Sequence, residues 1–104
     1  GTINIKKIVI QNTENIGNVC FYGMKELKEI EFRNVKEIGE GSFSKSGIET
    51  LLIPSSIERI KKNAFEGCEE LRNVEFEERS QLQEIEEEVF KGCNKIQEEN
   101  QGRR

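Results

Sequence analysis

A short apolar pattern recurs four times along this chain. Each copy places an Ile five residues before a Phe, and the copies are Ile16/Phe21, Ile38/Phe43, Ile60/Phe65 and Ile85/Phe90. Successive Phe residues are 22, 22 and 25 positions apart. A repeat of this length predicts a solenoid, in which each unit buries its apolar side against the neighbouring units.

The other large apolar residues also keep fixed places in the repeat. A triplet spaced three and then two is followed by a pair spaced three. The triplets are Ile5/Ile8/Ile10, Leu27/Ile30/Phe32, Ile48/Leu51/Ile53 and Leu71/Val74/Phe76, and the pairs are Thr13/Ile16, Val35/Ile38, Ile57/Ile60 and Leu82/Ile85. We therefore interpret residues 1–104 as a single domain with coils 5–26, 27–47, 48–70 and 71–95, a partial fifth coil from 96, and a polar tail over 97–104.

The spacing inside one repeat predicts two strands per coil. The triplet has period two and is rich in β-branched residues, as is typical of a short strand, and the apolar pair is a second extended piece. Between the Ile and the Phe we expect a tight turn or a single helical turn. Equivalent strands of successive coils should pair in parallel, with right-handed crossovers. The four repeat Phe side chains should then form a stacked aromatic spine inside the coil.

Composition excludes most kinds of chemistry. The chain has no Asp, His or Trp, which removes nucleophilic triads, Cys/His zinc sites and calcium loops that begin with Asp. No glycine-rich nucleotide-binding motif is present. We expect no enzyme activity and no cofactor.

The charge and hydropathy of the chain also argue against two kinds of partner. The net charge is −4, whereas nucleic-acid binding needs a basic face. No segment approaches the roughly 20 apolar residues of a membrane span. We expect neither nucleic-acid binding nor membrane insertion.

The three cysteines occupy small-residue positions of the repeat. Cys68 and Cys93 each follow a Phe by three residues, so they should stack on adjacent coils about 4.8 Å apart, which is within reach of a disulfide. Buried free thiols are the alternative, and Met24 in the equivalent slot favours packing. Cys20 precedes Phe21, where other copies have Ser, Ala or Val. We predict that all three are reduced, poorly accessible and not metal ligands.

The third unit resembles the BspA-like, or treponemal-type, leucine-rich repeat. That unit reads approximately Leu-x-x-Ile-x-Ile-Pro-x-x-Val-x-x-Ile-Gly-x-x-Ala-Phe-x-x-Cys, and the matching residues here are Ile48, Leu51, Ile53, Pro54, Ile57, Ile60, Ala64, Phe65 and Cys68. The resemblance extends over residues 5–96. It implies a leucine-rich repeat right-handed parallel β solenoid of the α/β horseshoe type, mostly β with short turns. It also implies a surface or secreted protein that adheres to host proteins, with no catalytic residues.

Strand alternation sends every second residue of each triplet strand outward, onto what we call the concave face. Its candidate binding residues are Lys7, Val9, Glu29, Glu31, Arg33, Thr50, Leu52, Asn73 and Glu75. Val9 and Leu52 are either contact residues or ordinary exposed apolar residues. The carboxylates either attract a cation or form a solvated acidic face.

The leading hypothesis for function is a non-catalytic protein–protein interaction module of an adhesin-like protein at the cell surface or secreted. Its partner would be a host or extracellular-matrix protein. The alternatives are a cytoplasmic scaffold or regulatory solenoid, and a structural spacer within a longer repeat array. The strand edges at both ends of the coil stack also offer a route to weak edge-to-edge self-association.

Overall fold

The computed structural model describes residues 4–96, which form eight short strands, two in each coil. The strands are β1 Lys7–Ile10, β2 Asn15–Ile16, β3 Glu29–Phe32, β4 Glu37–Ile38, β5 Thr50–Ile53, β6 Arg59–Ile60, β7 Asn73–Phe76 and β8 Glu84–Ile85. All pairings between strands are parallel. The predicted parallel β solenoid is confirmed. The described residues contain no helix, so turns connect the strands. The predicted polar tail over 97–104 lies outside the described residues.

The even-numbered strands form one continuous four-stranded sheet in the order β2-β4-β6-β8. Ile16, Ile38, Ile60 and Ile85 occupy equivalent places along it. These are the Ile residues that precede each Phe by five positions, so the sequence repeat and the sheet register coincide.

The odd-numbered strands form two separate sheets instead of one. β1 pairs with β3 and β5 pairs with β7, but β3 and β5 are not hydrogen-bonded into one sheet. The prediction that all triplet strands pair in one ladder is therefore wrong at this step. The break lies in the middle of the predicted concave face.

Two features of the sequence account for this break. Coil 27–47 is one residue shorter than its predecessor, and the missing residue lies between Phe43 and Ile48. The second feature is the loss of a ladder donor. Arg33 N–H donates to the carbonyl oxygen of Ile10 at 2.8 Å, and Glu77 N–H donates to Ile53 at 2.9 Å. The donor at the equivalent place between β3 and β5 would be Pro54, which has no N–H.

The predicted aromatic spine is confirmed. The ring centroids are 5.1 Å apart for Phe21 and Phe43, 5.4 Å for Phe43 and Phe65, and 5.8 Å for Phe65 and Phe90. All three pairs are stacked, with planes within 12° of parallel. The two inner rings are fully buried and the two outer rings are half-buried.

Several apolar residues predicted for the interior are exposed. Ile5, Phe76 and Ile85 are 43%, 44% and 45% accessible. Each lies in the first or last coil of the described residues. The prediction of burial is wrong here because a solenoid buries a side chain against the next coil, and an end coil has a neighbour on one side only.

The turns use left-handed backbone conformations at repeated positions. One such position follows each repeat Ile by three residues, another follows each repeat Phe by two, and a third follows β1, β3 and β7. The residues are Val19, Gly41, Asn63 and Glu88, then Gly23, Lys45, Gly67 and Gly92, then Asn12, Asn34 and Arg79. Left-handed residues bend the chain sharply, which closes each coil without a helix. Val19, at φ 49°, is the one β-branched residue among them and is strained.

Candidate functional site

The structure places the predicted concave-face residues outward. Lys7, Val9, Glu29, Arg33, Thr50, Leu52, Asn73 and Glu75 are exposed, and Glu31 is half-exposed. The register brings them together in two groups. On the first sheet Lys7 lies beside Glu29, and Val9 lies beside Glu31. On the second sheet Thr50 lies beside Asn73, and Leu52 lies beside Glu75.

Ion pairs link the charged side chains of the first group. Lys7 Nζ lies 3.5 Å from Glu29 Oε2 and 3.8 Å from Glu31 Oε1. Arg33 Nε donates to Glu31 Oε2 at 2.8 Å, and Arg33 Nη1 donates to Gln11 Oε1 at 3.2 Å. The hydrogen bond from Arg33 lowers the pKa of the Glu31 carboxyl group, with further help from Lys7. These groups are solvated, so the network orients side chains and adds little to stability.

A groove of about 360 Å³ opens where the ladder is broken. Its lining residues come from β3, from β5 and from the loops that follow β5 and β7: Glu29, Ile30, Glu31, Phe32, Thr50, Leu52, Pro54 and Glu77. The side chains of Ile30 and Phe32 are buried in the core, so these residues contribute main-chain atoms to the groove floor. Sequence reasoning missed the groove, although the short coil and Pro54 were its visible signals.

The missing residue of coil 27–47 leaves a second, smaller depression on the flank of the solenoid. It measures about 200 Å³ and is lined by Lys25, Lys28, Ser46, Gly47, Glu69 and Glu70. Lys95 Nζ lies 2.9 Å from Glu70 Oε1, and this hydrogen bond lowers the pKa of the Glu70 carboxyl group. Gly47 forms the tight inner corner, because a Cβ atom there would overlap the Lys25 carbonyl oxygen.

All three cysteines are free, and two of them are buried as predicted. Cys68 Sγ donates to the Phe43 carbonyl oxygen at 3.2 Å, and Cys93 Sγ donates to that of Phe65 at 3.1 Å. A hydrogen bond with Cys68, together with burial, raises the pKa of the Cys93 thiol. Both thiols therefore serve as packing groups. The predicted burial of Cys20 is wrong: this residue is exposed, because among the described residues no earlier coil lies against its coil.

Two kinds of feature are absent from the part of the chain that the structure describes. Residues 4–96 contain no cluster of three or more His, Cys, Asp or Glu side chains that could hold a metal ion. No helix among these residues is long and apolar enough to cross a membrane.

The stacked parallel coils with an aromatic spine define a leucine-rich repeat solenoid. The family described as "BspA type Leucine rich repeat region (6 copies)" matches residues 1–101, and the chain belongs to this family. The resemblance drawn from residues 48–68 is thereby confirmed over nearly the whole chain.

Two solved structures are similar to this chain. A leucine-rich repeat protein from Bacteroides ovatus ATCC 8483 is 30% identical with a TM-score of 0.80, over 88% of this chain and 24% of that protein. The pneumococcal vaccine antigen PcpA is 28% identical with a TM-score of 0.67, over 77% of this chain and 20% of that protein. The chain thus spans a quarter or less of either relative. No curated protein sequence matches it significantly.

Proposed function

We propose that this chain is a non-catalytic protein-interaction module whose contact surface is the concave face. The observation that supports it most directly is Leu52, which is 48% exposed on β5. Its neighbour in the register is Glu75 on β7. An apolar side chain held outward and flanked by charge is typical of the centre of a protein interface, with a polar rim around it.

The rigidity of the strand ladders favours the concave face over the turns. Side chains on a hydrogen-bonded ladder lose little conformational entropy when a partner binds, because the backbone beneath them is already ordered. The ion pairs among Lys7, Glu29, Glu31 and Arg33 pre-orient four of these side chains further.

For cellular location we propose the cell surface or a secreted form, with a host or extracellular-matrix protein as partner. The support is similarity to a bacterial vaccine antigen, PcpA, together with family membership. A cytoplasmic scaffold is the second candidate, and the free, exposed Cys20 favours it, since such thiols persist in reducing compartments. Labelling intact and lysed cells with a membrane-impermeant reagent separates the two: the surface form is labelled in both samples, and the scaffold only after lysis.

Substitutions on the concave face test the interaction proposal. Leu52→Glu should abolish or strongly weaken binding to a partner identified by cross-linking, and Arg33→Glu should change the affinity in the direction set by the charge of the partner. Lys62→Glu is the matched control, because Lys62 is an exposed residue in the turn after β6. All three variants should retain the circular dichroism spectrum of the parent. Loss of binding in Lys62→Glu alone would move the contact surface to the turns, and recovery of no partner at all would favour a spacer role.

A further inference from the structure

The groove between β3 and β5 lies between two acidic rows. β3 contributes Glu29 and Glu31, and β7 with its following residue contributes Glu75 and Glu77. The row between them is Thr50, Leu52 and Pro54, which carries no charge. An uncharged, partly apolar strip therefore runs between four carboxylates, of which Glu29 and Glu31 are already paired with Lys7 and Arg33.

We propose that this groove binds an extended segment of a partner protein in which basic and apolar side chains alternate. The proposal rests on the concave face being the contact surface and specifies the chemistry of the partner. Three properties of the groove support it: its apolar strip, its carboxylates and its main-chain groups.

The apolar strip suits either an apolar side chain or the aliphatic stem of an Arg or Lys. Leu52 is half exposed and Pro54 is partly exposed beside it. Covering such a side chain contributes roughly 25 cal/mol per Å² of apolar surface removed from water. The stems of Arg and Lys bury well on such surfaces while their charged heads stay in solvent. Leu52 and Pro54 thus provide the contact for every second side chain of the segment.

The carboxylates suit the charged heads. Among the described residues, Glu75 forms no ion pair, although it lies directly beside Leu52 in the register. Glu77 Oε1 accepts a hydrogen bond from Ser55 N–H at 2.7 Å, which fixes the side chain, and no cation of the described residues forms an ion pair with it. A guanidinium group can bond such carboxylates through two parallel hydrogen bonds, so a basic segment is complementary to this row.

The broken ladder supplies the main-chain groups. Glu29 N–H and Arg33 N–H donate back toward the first coil, so the intervening Ile30 and Phe32 turn their main-chain groups toward β5. On the other side, Ile53 accepts from Glu77, so Thr50 and Leu52 turn theirs toward β3. Glu49 N–H donates to the Lys28 carbonyl oxygen at 3.1 Å just before the two strands, but no sheet pairing joins the strands themselves. Main-chain groups without a ladder partner can bond an extended peptide.

Fluorescence anisotropy with a labelled octapeptide of alternating Arg and Val tests the proposal on the full chain. The peptide should bind saturably, and the charge-reversed peptide of alternating Glu and Val should bind at least about tenfold more weakly. Raising the salt from about 0.1 M to about 1 M shortens the Debye length from about 10 Å to about 3 Å, and affinity should fall. Absence of saturable binding by the Arg peptide would overturn the proposal.

Variants show whether the peptide occupies this groove. Glu75→Gln should weaken binding about threefold, as expected for one solvated ion pair. Leu52→Ser should weaken it about tenfold through lost apolar contact. Glu87→Gln removes an exposed carboxylate in the turn after β8 and should leave affinity unchanged. An equal loss in Glu75→Gln and Glu87→Gln would indicate general charge attraction and overturn the groove assignment.

The two proposals fail in different ways. If Leu52→Glu abolishes partner binding while Glu75→Gln changes neither partner nor peptide affinity, the concave face is the contact surface and the basic-segment proposal is wrong. If the peptide binds as described but neither Leu52→Glu nor Arg33→Glu affects the partner, the groove binds basic segments and the partner contacts another surface.

Discussion

Phe43 and Phe65 stack face to face with their ring centroids 5.4 Å apart and their planes inclined by 8°, and neither ring is accessible to solvent. Each ring also stacks on a half-buried ring in an end coil. Offset stacking of this kind stabilises beyond the burial of area alone. The spine therefore couples the stability of the two middle coils to that of their neighbours.

Truncation of the spine should destabilise the fold most at its middle. Phe65→Ala should lower the free energy of unfolding by about 3–5 kcal/mol, because it leaves a cavity among fully buried neighbours. Phe90→Ala should cost less, since this ring is half-buried. Urea unfolding followed by circular dichroism measures both. Equal losses would mean that the end coils are as well packed as the middle ones.

Gly47 should tolerate no side chain. Gly47→Ala forces a methyl group onto the Lys25 carbonyl oxygen, so the short coil must shift. The free energy of unfolding should fall by about 1–3 kcal/mol or more, as is typical of an overpacked core site. The matched control is Gly23→Ala: Gly23 has φ 73° and nothing within 4 Å of a built Cβ atom, so it should lose only about 1 kcal/mol. Thermal melts of both variants give the comparison, and a milder effect at Gly47 would contradict the close approach.

Relief of backbone strain at Val19 should stabilise the protein. Val19 combines a φ of 49° with 61% exposure, so its backbone is strained and its side chain contributes little packing. Asn adopts this conformation readily, and Asn63 occupies the equivalent position two coils on. Val19→Asn should therefore raise the free energy of unfolding by about 1 kcal/mol.

The control for this change is Val9→Asn. Val9 lies in the extended strand β1, where Asn has no conformational advantage and a lower strand propensity. This variant should be neutral or slightly destabilised. If both substitutions change the melting temperature in the same direction, backbone strain is not the cause.

The thiols should differ in reactivity. Cys20 is exposed, so a thiol reagent should label it without any unfolding of the protein. Cys68 and Cys93 are buried and donate hydrogen bonds to carbonyl groups, so they should react only when the protein opens. Mass spectrometry should find one label under native conditions and three in denaturant. Rapid addition of three labels to folded protein would contradict the buried positions.

The periodic part of the fold could be predicted from the sequence because burial in a solenoid follows repeat position. The column of Ile residues in the even strands and the four spine rings were identified in this way. Phe76 and Cys20 were misassigned because their repeat positions are interior ones, whereas their exposure depends on having a coil on each side. Repeat position alone does not tell an end coil from a middle coil.

The broken ladder depends on pairing between distant residues, which repeat position does not determine. Pro54 and the one-residue deletion near Gly47 were visible in the sequence, yet only the pairing of β3 with β5 shows their combined effect. The left-handed corners were equally hard to predict. Val19, Lys45 and Glu88 adopt them without being Gly or Asn, because the repeated coil geometry imposes the conformation at each of these positions.

The segment from Phe43 to Ile48 is one residue shorter than its counterpart in the preceding coil, and its effect on strand pairing is local. β1 stays paired with β3 and β5 stays paired with β7. Among the odd-numbered strands, pairing is lost only between β3 and β5. Because each coil contacts only the coils beside it, such a defect does not spread. A stack of otherwise uniform coils can therefore acquire a groove at one level through the loss of one residue and a proline at the next ladder position, with the pairing of the other strands unchanged.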